Sequence, residues 1–77
     1  MKKLVETLVH RVVDLPEQAT VRESRRGDSV EYVVRVAPDD VGKIIGRRGR
    51  VADAIRTIVG AAAQKQHLQV HIKFDTG

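Results

Sequence analysis

Two runs of alternating apolar residues are separated by a long stretch that does not alternate. In the first run Val30, Tyr32, Val34 and Val36 alternate with Glu31, Val33 and Arg35. In the second, Leu68, Val70, Ile72 and Phe74 alternate with His67, Gln69, His71 and Lys73. Period-2 alternation is the mark of a half-buried strand. The stretch between them, from Pro38 on, reads as a helical pair, and a connection of that length cannot be a hairpin. It is a crossover, which makes the two strands parallel neighbours in one sheet. Val33 puts an apolar group on the second face of the first run, as suits a central strand.

The flanking segments complete the pattern. Leu4, Val5, Leu8, Val9, Val12 and Val13 recur in pairs four apart, one stripe of an amphipathic helix over roughly residues 2 to 14. Pro16 ends it. Residues 19 to 25 carry a weak edge-strand signal around Val21, and Gly27-Asp28 supplies a turn. Pro38 reads as the first residue of a short helix, with Asp39 and Asp40 complementing its positive end. That helix is expected to stop at Gly46, and a second to begin near Gly49 with Val51, Ile55, Ile58, Val59 and Ala62 as its buried stripe. The expected order is α-β-β-α-α-β. This is an α+β fold, a three-stranded mixed sheet with three helices on one face, in a single domain over residues 1 to 77.

The connection between the last two helices carries the chemistry. It reads Ile44-Ile45-Gly46-Arg47-Arg48-Gly49-Arg50. Glycine lets a backbone turn tightly and approach a ligand closely. Exposed amides at a helix start suit an anion, and arginines between the glycines add charge where a phosphodiester would lie. The charge count agrees. The chain has 14 Lys+Arg and 10 Asp+Glu, a formal net of +4. Residues 43 to 56 hold Lys43, Arg47, Arg48, Arg50 and Arg56 against Asp53, so they carry the whole excess, and the remainder nets zero. A focused excess is a steering field for an anion.

Composition bounds the alternatives. The 42% hydrophobic content with local periodicity argues against disorder. A chain this short buries only about 60% of its unfolded surface, so a partner subunit would help its stability. There is no cysteine, hence no disulfide framework and no thiolate metal site. Met1-Lys2-Lys3 is followed by Glu6, His10 and Arg11, which rules out an apolar leader core. No run approaches the roughly 18 apolar residues of a membrane span. A cytoplasmic location is expected. His67 and His71 on a strand would lie roughly 13 Å apart, too far to share a metal. Arg26-Gly27-Asp28 reads as a hairpin turn. No Ser/His/Asp grouping or paired carboxylates stand out, so neither catalysis nor a cofactor or metal is expected.

This element order, with Val41-Gly42-Lys43-Ile44-Ile45-Gly46-Arg47-Arg48-Gly49 between its fourth and fifth elements, resembles the K homology (KH) domain in its bacterial, type II arrangement. With one KH domain and nothing else, the chain is similar to the KhpA family of small bacterial RNA-binding proteins. The resemblance implies a non-catalytic protein that grips the backbone of single-stranded RNA at Gly46, Arg47, Arg48 and Gly49. Val41, Lys43 and Ile45, with Val34 and Val36, would wall a narrow aliphatic groove for bases, Arg50 would add charge, and Ile44 would be core. Aromatic residues are 3% of the chain, so base stacking on a sheet is not available. The resemblance further implies a homodimer, a heteromer with a larger KH protein (KhpB), a role as post-transcriptional regulator or RNA chaperone, and a link to cell shape. The alternative is a protein-interaction or dimerisation subunit of a larger KH-protein complex.

Overall fold

The computed structural model describes residues 1–75, the Arg47 side chain excepted. Helix α1, Lys2–Val12, buries Val5 and Val9 completely. The four-residue spacing continues to Val13, buried although its backbone has already become extended. Short 3₁₀ turns at Pro16–Gln18 and Pro38–Asp40 begin on the two prolines, where a fixed φ and a missing N–H cost nothing.

Strands β1 (Thr20–Arg26) and β2 (Ser29–Arg35) form an antiparallel hairpin closed by Gly27 at a φ of 55°. Strand β3, Gln69–Asp75, pairs parallel to β2, so the sheet order is β1-β2-β3. The alternation in β2 aims Val30, Tyr32 and Val34 into the core with Val21 and Ile72. Burial of the Tyr32 phenol, followed by the Glu23 carboxylate opposite it in the register, pushes its pKa up to about 12. β1 contributes one buried residue, Val21, as an edge strand can.

Helix α2 spans Val41–Lys65 as one helical stretch with a break inside it. Arg48 and Gly49 both have left-handed φ values, 64° and 70°. Two successive residues of that kind end one helical run and start another. The molecule therefore has the order α-β-β-α-α-β, with α1 and both arms of α2 packed on one face of a mixed three-stranded sheet. The bend falls at Arg48 and Gly49, later than the Gly46 that the sequence suggests. Gly46 itself is helical, with no positive φ.

The second arm is rotated relative to expectation. Its buried face is Ala52, Ile55, Val59 and Ala63, while Val51 and Ala62 are half-buried and Ile58 is 47% exposed. Reading the bulky residues as the stripe misses how closely two alanines let a helix approach its neighbours. At about 100° per residue, Ile58 stands well round the helix from Val59.

The end of α2 is closed by His67 in a left-handed conformation, φ 56°. The His67 N–H donates to the Gln64 carbonyl (3.1 Å) and the Leu68 N–H to the Ala63 carbonyl (2.9 Å). This pair of bonds is a Schellman closure, and Leu68 packs against the core as that motif favours. His67 and Leu68 thus belong to the helix end and not to the strand, which starts at Gln69 after the Gln69 N–H bonds the Asp28 carbonyl (2.8 Å).

Candidate functional site

Asp40 organises the approach to the turn. It directly precedes α2, yet its side chain makes no capping bond there. The carboxylate is buried, 1% exposed, and accepts the backbone N–H groups of Asp14 (3.1 Å) and Leu15 (3.0 Å). Lys43 Nζ lies 3.4 Å from it and also pairs with Asp14. A buried carboxylate needs donors, and here they come from the chain just after α1. The result ties the end of α1 to the start of α2. Asp39 and Asp40 do lie in the first turn that Pro38 begins, as expected; what the sequence does not show is that the Asp40 carboxylate also accepts two backbone N–H groups 25 and 26 residues back.

Residues along the first arm divide between two sides. Ile44 points into the core at 1% exposure, while Ile45 is 38% exposed. Val41 and Ile45 line a narrow, mainly apolar cleft with Val34, Val36, Ile44 and Phe74, and Asp75 stands at its edge. Lys43, Gly46 and Arg50 line a different cleft, with Val12, Gly42 and Val51. The helical period dictates this split, since residues four apart share a face and residues two apart do not. The turn is therefore flanked by an aliphatic cleft on one side and a basic one on the other. Arg48 and Arg50 are exposed, and no ion pair holds either among the described residues. The Arg47 side chain lies outside the described residues.

The two glycines differ in what they do. A Cβ on either would meet nothing within 4 Å. Gly49 is explained by its backbone, because L-residues disfavour a φ of 70°. Gly46 is not: it sits in helical backbone with open space above it.

Arg56 is committed elsewhere. Its guanidinium bonds Asp53 (3.2 Å) and the Ile72 carbonyl (3.4 Å), and stands 5.1 Å from the centre of the Phe74 ring. It fastens the second arm to β3 and steadies Phe74, a wall of the aliphatic cleft. Phe74 as a cleft residue was not singled out from the sequence, where it reads only as a strand position; its place at the end of β3, beside Val34 in the register, is the signal that identifies it.

Comparison with known proteins agrees with this architecture. The family model described as "KhpA/KhpB, KH domain" matches residues 2–74. A protein of Clostridium acetobutylicum named RNA-binding protein KhpA is 42% identical over 73 residues, covering 95% of this chain and 97% of that one. Its namesake in Halalkalibacterium halodurans is 44% identical over 72 residues, covering 94% and 95%. The Streptomyces coelicolor relative of the same name is 51% identical over 63 residues, covering 79% and 77%. No solved structure gives a significant match. With its sheet order, its broken second helix and a family match over nearly its whole length, the chain belongs to the KhpA/KhpB KH-domain family.

Proposed function

We propose that this protein is a non-catalytic binder of single-stranded RNA. The observation that carries the reading is the break at Arg48 and Gly49, an exposed cationic turn with open space over Gly46. One phosphodiester backbone crosses the turn at Gly46, Arg47, Arg48 and Gly49. Bases lie against the apolar wall of Val41, Ile45, Val36 and Phe74, above the narrow cleft and in the open depression that adjoins it at Val36 and Val41. Lys43 and Arg50, on the opposite side, add to the field, and Lys43 also braces the turn through Asp14 and Asp40. The names of its relatives support this reading, as does the low aromatic content of 3%, which leaves little base stacking and makes backbone gripping the main source of affinity. Such a protein serves as a post-transcriptional regulator or RNA chaperone.

A second role is compatible with the first. Ile58 stands exposed on the second arm between exposed Ala54 and Ala61. That apolar face suits a second copy or a larger KH protein, as the joint name of the matching family model suggests.

The test is competition between matched oligonucleotides. A duplex hides its base edges, and a narrow slot cannot admit it. Single-stranded RNA should displace a labelled strand at concentrations at least tenfold lower than duplex RNA of equal length. Equal competition would reduce the turn to a generic polyanion patch.

A further inference from the structure

The uncovered face of the sheet is basic, a feature hidden in the sequence, where residues outside the turn region net zero. Pleating sorts them. β1 sends Arg22 and Arg26 to the face away from the helices, β2 sends Glu31 and Arg35, and β3 sends His71, Lys73 and Asp75. Arg35 is bound to Asp75 at 3.1 Å. Arg22, Arg26 and Lys73 are exposed with no ion pair among the described residues. Register puts Arg22, Val33 and Lys73 in one row across the three strands. Two strand spacings separate the cations by roughly 10 Å at the backbone, with an apolar side chain between them. Beyond that row a hollow is lined by Ser24, Arg26, Ser29, Glu31 and His71.

This face is continuous with the aliphatic cleft. A depression between them is lined by Val36 and Val41, which also line the cleft, by Thr20 of the open face, and by Arg35 with its partner Asp75, which reaches the cleft as well. From Arg35 to Ser29 the central strand runs about 20 Å. We infer that the open face of the sheet is a second contact surface for RNA, over which a single strand leaving the cleft passes Arg35 and lies across the row of Arg22, Val33 and Lys73. The inference rests on the proposed RNA-binding role and lengthens its footprint beyond the roughly four nucleotides that a KH turn clamps. Uncompensated cations around a half-buried valine suit a phosphodiester chain with its bases. An acidic protein surface would instead face Glu31 in the middle of the patch; RNA can pass to either side of it.

The experiment compares five- and ten-residue oligouridines by fluorescence anisotropy across a salt series. The wild-type chain should bind the longer oligomer at least tenfold more tightly. Its salt slope should be steeper by about 1.4, two added phosphate contacts at roughly 0.7 each. In Arg22→Gln/Lys73→Gln the five-residue affinity should be unchanged, and the length advantage and added slope should vanish. Arg22→Lys/Lys73→Arg should restore both, which a folding defect would not. Arg47→Asp/Arg48→Asp tests the turn separately, through loss of the five-residue oligomer. If that variant keeps the short oligomer while Arg22→Gln/Lys73→Gln still abolishes the length advantage, the turn reading fails and the sheet contact stands. A wild-type protein without a length advantage, or a Gln variant that retains it, would overturn the inference.

Discussion

Two side-chain-bearing residues have left-handed backbone, Arg48 within α2 and His67 just past its end, and their surroundings differ. His67 ends the helix, and two hydrogen bonds and the packing of Leu68 explain why the chain turns there. Arg48 interrupts the helix at an exposed position, next to a glycine whose surroundings are empty. Left-handed backbone costs an L-residue roughly 1–2 kcal/mol. At His67 folding itself recovers that cost. At Arg48 the bend lets both arms of α2 reach the core, but among the described residues no side-chain bond or ion pair holds the exposed residue there, and such strain is common at functional sites. The contrast teaches that the helix end is held by local bonds to the strand it leads into, whereas the turn is left exposed, as the proposed RNA contact requires.

The largest effect expected from the scaffold is at Asp40. Asp40→Ala strands two backbone N–H groups and frees Lys43 beside Asp14, and should cost about 3 kcal/mol of stability. RNA affinity measured well below the melting temperature should also fall, because the first arm loses its anchor. A loss below about 1 kcal/mol by urea unfolding would show that the clamp does not hold the arm.

The two left-handed sites can be set against each other directly. His67→Gly and Arg48→Gly should each raise stability by about 0.5–1 kcal/mol, the relief of strain less the added entropy of an unfolded glycine. Only Arg48→Gly should weaken RNA binding. If both variants bind equally well, the turn is no more functional than the helix end.

A further effect is confined to alkaline pH. The Tyr32 pKa is raised to about 12 in the folded chain, against about 10 when unfolded. Below pH 10 the phenol is neutral in both states and its stabilisation is complete. Above pH 10 the unfolded state ionises first, so stability falls as pH rises toward 12. Unfolding curves between pH 9 and 11.5 should show this slope in the wild-type chain and its loss in Tyr32→Phe.

Much of this was readable from the residues, and what was not has a physical reason. The strands and α1 were legible because burial on one face imposes period 2 or near-period 4 on consecutive side chains. The type II KH arrangement followed from Ile44-Ile45-Gly46-Arg47-Arg48-Gly49 in that order of elements. The bend was placed at Gly46 because a glycine after a helical run signals a stop, whereas the left-handed pair is Arg48 and Gly49. The second task of Asp40, clamping the chain after α1, was not legible because its backbone donors are distant in sequence. Ile58 was assigned to the core by its bulk, yet the alanines at 52 and 63 occupy that side. The basic sheet face was invisible to a count along the chain, since only pairing decides which charges share a face.

Gly46 offers the most direct test of whether the turn is built for a ligand. It lies in helical backbone with open space around it, so Gly46→Ala should leave urea stability unchanged or raise it by up to about 1 kcal/mol. Yet a methyl group would stand where the RNA backbone must approach, and affinity for a short single strand should fall tenfold or more. Undiminished affinity in a stably folded Gly46→Ala protein would contradict the account.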